Sequence, residues 1–141
     1  MKKYTILFAF LFITANMSYA GALVDNGDAT ISDQGTHLMW QKQDDGTTRT
    51  WTAAITYCEG LTLAGHTDWR LPTIKELKSI ADMTKYSPAI NTTYFPGTQS
   101  SYYWSSTTLA SDATCAWGVN FSYGNSYGDY KTVGNYARCV R

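Results

Sequence analysis

Three cysteines, two histidines and a run of early aspartates are the residues of this 141-residue chain whose types suit chemistry. Cys58, Cys115 and Cys139 can form one bridge and leave one thiol over. His37 and His66 lack a histidine or cysteine three to five residues away, the spacing that zinc sites use. His66 and Asp68 alone would make a weak metal site. A Cys58–His66 nucleophile pair would need a free thiolate, and no serine sits in a Gly-x-Ser-x-Gly elbow. Asp25, Asn26, Asp28, Asp33, Asp44 and Asp45 are oxygen donors, but the twelve-residue calcium loop with its terminal bidentate Glu is missing. Asp and Asn beside Gly are first of all turn residues. The expectation is therefore no catalytic residue, no metal and no cofactor, with calcium unsupported by spacing.

Recognition has a better case than reaction. Between Asn120 and Tyr136 the chain is built largely from Tyr, Ser, Asn, Asp and Gly. Tyr offers a large amphipathic contact area at small entropic cost, and Ser, Asn and Gly adapt their hydrogen bonds, as in antibody loops. Tyr123, Asn125, Tyr127 and Tyr130 are the expected ligand contacts. The same composition also suits an ordinary hairpin with Tyr packed across strands.

The balance of charge narrows the partner. There are 11 basic and 11 acidic residues and no basic stripe, which argues against nucleic acid. With 44% hydrophobic residues and no block of like charge, the chain is expected to fold as one domain. Residues 1–20 read as a signal peptide: Lys2 and Lys3, an apolar stretch from Tyr4 to Thr14, and Ser18-Tyr19-Ala20 before the cut. That stretch is short for a bilayer span, so no membrane span is expected after cleavage. The expected mature domain, 21–141, is mildly acidic, is exported to the periplasm or cell surface, and keeps all three cysteines where oxidation is permitted.

Elements that would position these residues follow from local patterns. Asp33-Gln34-Gly35 separates two short runs, Ala29 to Ile31 and Thr36 to Trp40, as in a hairpin. Ala53, Ala54, Tyr57, Cys58 and Leu61 have helical spacing, with Thr50 or Thr52 as N-cap and Gly60 or Gly65 as the stop. Thr73 and Glu76 form a capping box for a second helix whose apolar face is Ile74, Leu77, Ile80 and Ala81. Pro72 holds Leu71 extended in the connector Asp68–Pro72. There Trp69 is expected in the core, and Arg70 as a buried, paired cation with Asp68 as its candidate partner. Tyr102–Ser106, Cys115–Phe121, Tyr130–Val133 and Tyr136–Val140 read as strands, with a turn at Gly124-Asn125-Ser126. Trp40, Trp104 and Trp117 fall on strand patterns and are expected in the core.

Several segments taken together carry a resemblance. Thr36-His37-Leu38-Met39-Trp40-Gln41, Gly65-His66-Thr67-Asp68-Trp69-Arg70-Leu71-Pro72-Thr73 with Glu76-Leu77, Tyr103-Trp104-Ser105-Ser106 and Arg138-Cys139-Val140-Arg141 occur in the order found in one family. The chain resembles the C-terminal domain family of the Legionella collagen-like protein, a domain of unknown function, over nearly all of Gly27 to Arg141. The resemblance implies an α+β, C-type-lectin-like fold akin to the sulfatase-modifying-factor domain, with two helices flanking a twisted antiparallel sheet. It implies a bridge from Cys58 to Cys139; on the residues alone Cys115 to Cys139 remains a rival. It also implies an exported, non-enzymatic binding module for a glycan, surface polymer or protein. The calcium-linked sugar motifs Glu-Pro-Asn and Trp-Asn-Asp are absent, and folds of this kind host many functions. A structural subunit of a surface assembly, or a cysteine-oxidising enzyme using Cys115 and Cys139, are the alternatives.

Overall fold

A computed structural model describes residues 22–141. The leader assigned to residues 1–20 lies outside the described residues. The chain is α+β, with β1 (Leu23–Asp25), β2 (Thr30–Asp33), β3 (Leu38–Gln41), α1 (Trp51–Glu59), α2 (Ile74–Ser79), β4 (Tyr102–Leu109), β5 (Asp112–Asn120) and β6 (Asn125–Tyr130). None of the described helices is long and apolar enough to cross a membrane.

The strands form two antiparallel three-stranded sheets, β1-β2-β3 and β4-β5-β6, where one sheet was expected. The expected first hairpin is present, with Ile31 opposite Trp40. Both helices start where the caps place them. Thr50 precedes α1, and the Thr73–Glu76 capping box is complete. The last segments differ from expectation. β6 begins at Asn125 and ends at Tyr130, so the stretch read as a turn opens the strand and residues 131–133 lie outside it. The reversal falls at Phe121–Gly124, where Gly124 has φ 78°, a left-handed conformation that costs glycine little.

Tyr136–Val140 is not a regular strand, but it joins the two sheets. Trp104 N–H donates to the Tyr136 carbonyl and Tyr136 N–H to that of Tyr102. Three residues on, Gln41 N–H donates to the Cys139 carbonyl, and Val140 and Arg70 exchange N–H···O=C bonds. Between those contacts the ladder stops. There Arg138 sends its guanidinium to main-chain oxygens of Gln41 and Lys42, and the Cys139 N–H turns to the Gln41 side chain.

Two buried clusters cover opposite faces of β4-β5-β6. Tyr103, Val119 and Phe121 meet Ile31, Trp40, Leu77, Ile80, Ile90, Phe95 and Val140 on one side. Trp104 and Ala116 meet Ala54, Cys58, Trp69, Leu71, Ala137 and Cys139 on the other. The period-two pattern of β4 explains the split, because neighbouring Tyr103 and Trp104 must point to different faces. Trp117 is half-buried and not part of the core expected for it.

Cys58 and Cys139 are bonded, with Cα atoms 5.4 Å apart and 81 residues between them. The pairing implied by the resemblance holds, and the Cys115–Cys139 rival is ruled out. In the loop-closure model a ring of that size stabilises the fold by up to about 4.5 kcal/mol. Cys115 is a buried free thiol.

Beside the bridge, Arg138 and Asp44 form a wholly buried ion pair, Nη2 to Oδ2 2.8 Å. Arg138 also donates to Thr98 Oγ1, and the Tyr103 hydroxyl donates to Asp44 Oδ2, each at 2.8 Å. Burial lowers the Arg138 pKa, and the Asp44 charge opposes that shift. Burial and the same carboxylate raise the Tyr103 pKa. The guanidinium remains the charged partner, since Arg does not lose its proton in proteins. Arg138→Met is expected to cost about 3–5 kcal/mol in urea unfolding, because it strands the Asp44 charge, and Arg138→Met with Asp44→Leu is expected to recover part of that. A loss below about 1 kcal/mol in the single variant would contradict this role.

Candidate functional site

The four expected contact residues do not share one surface. Along β6, Asn125, Tyr127 and Asp129 point to one face and Ser126, Gly128 and Tyr130 to the other. Tyr123 precedes the strand, in the turn. Tyr123 and Tyr130 are 68% and 60% exposed, but stand at opposite ends of β6, roughly 20 Å apart along an extended chain. The run of Tyr, Ser, Asn and Gly was legible as composition, while its alternation between faces depends on where the strand begins.

Tyr127 is half-buried, and its hydroxyl is buried with no hydrogen-bond partner among the described residues. Its ring lies 4.5 Å from that of Tyr102, centroid to centroid. It also lies over Gly118, where an added Cβ would stand 2.6 Å from Tyr127 Cε1 and 2.4 Å from the Tyr103 carbonyl oxygen. Burial, then the Asp129 charge, raises the Tyr127 pKa, so the hydroxyl stays neutral. Gly118 thus makes room for a packing tyrosine, the cross-strand role that a hairpin of this composition also suits.

The exposed end of the hairpin is its tip. Tyr123 projects from a turn fixed by the Ser122 N–H donating to Asn120 Oδ1 and the Gly124 N–H donating to the Asn120 carbonyl. Phe121, fully buried, anchors that turn in the core. Asn125 is exposed beside it. A neighbouring loop braces the tip: Ser87 N–H donates to the Ser122 carbonyl and Ala89 N–H to that of Phe121. A Cβ on Gly124 would lie 3.3 Å from Met83 Cγ, so Met83 borders the tip. Met83 and Tyr86 of this loop are 71% and 80% exposed. In the sequence Ser87-Pro88 marks this stretch as loop, and nothing there signals that it meets the last hairpin.

The connector residues divide as follows. Trp69 is buried with its indole N–H donating to the Leu63 carbonyl, and Trp104 is buried with its own donating to that of Arg49. Both are core residues, as expected. Arg70 is not buried, and its partner is Glu76, not Asp68: two parallel 2.8 Å bonds join the guanidinium and the carboxylate. The capping box is the reason. It draws Glu76 back over the start of α2, where its Oε2 also accepts from the Thr73 N–H at 2.8 Å. Asp68 instead pairs with Arg141 at the surface, Nε to Oδ1 2.7 Å. The buried paired arginine expected at Arg70 is Arg138, which lies in a short terminal segment whose sequence has no periodicity to mark it.

The early aspartates act in turns. Asp25, Asp28, Asp44 and Asp45 each accept from the backbone N–H two residues on, and Asp33 accepts from those of Gly35 and Thr36. Asp25 also pairs with Lys42. Among the described residues no group of three or more His, Cys, Asp or Glu side chains is placed to hold a metal ion. Cys115 touches Asp112 and Thr114 through its sulfur and has no histidine among its hydrogen-bond partners.

The Arg70 bonds, followed by the bond from Thr73, pull the Glu76 carboxyl down to about 2 from an ordinary 4.5. A depressed carboxyl stabilises the fold fully above pH 4.5, and that contribution fades as pH falls through about 2. Glu76→Gln is therefore expected to be less stable than the parent in urea at pH 6, with the gap closing toward pH 2. A gap independent of pH would contradict the pairing.

No curated protein matches the chain. The family model of the Lcl C-terminal domain matches residues 29–141, which include both sheets apart from β1, both helices, the disulfide and the hairpin tip. The chain belongs to the Lcl C-terminal domain family.

Proposed function

We propose that this domain is an exported, non-enzymatic recognition module of C-type-lectin-like fold, which binds a glycan, surface polymer or protein through the tip of its last hairpin. The observation that carries the reading is Tyr123. A large ring exposed on a turn whose neighbours are pinned, by buried Phe121 below and the 82–89 loop beside, loses little entropy on binding. Asn125 supplies amide donors and acceptors next to it. Tyr127 supports the strand beneath, and Tyr130 is a separate contact at the far end.

The lectin-like assignment is supported by two helices packed with antiparallel strands and by the staple from the first helix to the terminal segment. The reading as a passive module is supported by the cysteines. Cys139 is spent in the bridge and Cys115 is buried, so the pair needed for cysteine oxidation is not there as two thiols. A structural role in a surface assembly has one observation in its favour, because β6 is an edge strand of its sheet and edge strands can pair with another chain.

The test is binding of the mature domain to glycan arrays and to surface extracts, followed by affinity measurement on the strongest hit. Tyr123→Ala is expected to weaken binding at least about tenfold, the size of a modest aromatic hot spot. Tyr127→Phe, which removes only a buried hydroxyl, is expected to bind as the parent does. Parent-like binding by Tyr123→Ala would place the site elsewhere.

A further inference from the structure

Next to the hairpin tip, residues 84–93 enclose an open hollow of about 390 Å³. Its lining includes Lys85, Tyr86, Asn91, Thr92 and Thr93, with half-buried Pro88 as its accessible apolar part, Ile90 behind it being fully buried. The polar groups are only partly spent. Asn91 Oδ1 accepts from the Thr93 N–H, and the Thr84 hydroxyl donates to Asp82. The Asn91 amide nitrogen, the hydroxyls of Thr92 and Thr93 and the Tyr86 hydroxyl have no side-chain hydrogen bond among the described residues.

Charge in the hollow is balanced. Lys85 Nζ lies 3.5 Å from Asp82 Oδ2, and the Asp82 carboxyl is held below its usual range, first by the Thr84 hydroxyl. No excess positive charge remains to favour an acidic ligand. Hydroxyl and amide groups with an exposed ring and a small apolar wall suit a ligand having many hydroxyls, an apolar C–H face and no net charge. A pyranose has those properties.

We infer that the hollow at residues 84–93 is a binding subsite for an uncharged sugar residue, with Tyr86 against the sugar's C–H face and Asn91, Thr92 and Thr93 bonding its hydroxyls. The inference rests on the reading of the chain as a recognition module and extends it, since the loop that braces the Tyr123 tip also forms one side of the hollow. The tip and the hollow thus lie on two elements bonded to each other through Ser87 and Ala89.

The experiment is a titration of the mature, disulfide-bonded protein, followed by amide chemical shifts. The probes are neutral disaccharides of glucose and of N-acetylglucosamine, with a uronic-acid disaccharide as the charged arm. Saturable shifts are expected at Tyr86, Asn91, Thr92 and Thr93 with at least one neutral probe, weaker shifts with the charged one, and little change between low and high salt. Tyr86→Ala and Thr92→Val, both at exposed positions, are expected to weaken that binding at least about fivefold while leaving the dispersed spectrum intact. No saturable shift in the hollow with any neutral probe, or unchanged affinity in both variants, would overturn the inference. Shifts confined to Tyr123 and Asn125 would also overturn it while sparing the proposed function. Shifts confined to the hollow would sustain it without the hairpin tip.

Discussion

A guanidinium with no access to solvent must be matched almost entirely by protein oxygens, and in this domain that requirement ties the terminal segment to residues 41–44 and to the loop before β4. Arg138 holds the end of β3 through the Gln41 and Lys42 carbonyls, the first turn after it through Asp44, and the loop before β4 through Thr98. Tyr103 closes the circuit from β4 by donating to the same carboxylate. Because breaking a buried pair leaves a charge without solvent, such a site tolerates few alternative arrangements of its surroundings. Specificity of arrangement is the physical gain; net stability comes mainly from the apolar clusters on either side.

The disulfide complements that constraint. Cys139 follows Arg138 directly, so one segment carries both the ion that orders the sheets and the covalent link to α1. Val140, next in line, pairs with Arg70 and lies opposite Trp40. The two three-stranded sheets are therefore joined by a terminal segment too irregular to count as a strand. The hairpin tip stands on this frame: Phe121 is buried in the same cluster as Val140, and Tyr123 lies two residues beyond it.

Much of this was legible locally. Thr73 and Glu76 gave the start of α2, because a capping box is a local hydrogen-bond motif. Asp33-Gln34-Gly35 gave the first hairpin for a similar reason. Trp69 was legible as core from Leu71 and Pro72 beside it, and Trp104 from its strand pattern, the same pattern that misplaced Trp117. What was not legible depended on contacts distant in sequence. Glu76 took Arg70 from Asp68 only because the cap folds its carboxylate back. Arg138 looked like any terminal arginine, since nothing near it in sequence announces Asp44 as its partner. Composition presents the contact residues of the hairpin as one set because it does not reveal the starting residue of β6, and a shift of one residue exchanges its faces.

The terminal segment is the keystone of the fold. Native-state hydrogen exchange at the amides of Gln41, Arg70, Cys139 and Val140, compared with those in the middle of β5, tests it most directly. The prediction is that these four amides exchange only by global unfolding, with the same protection and the same denaturant dependence as the β5 core. If they exchanged well ahead of β5, through fraying that left the strands protected, the terminal segment would be an appendage to a fold held together elsewhere.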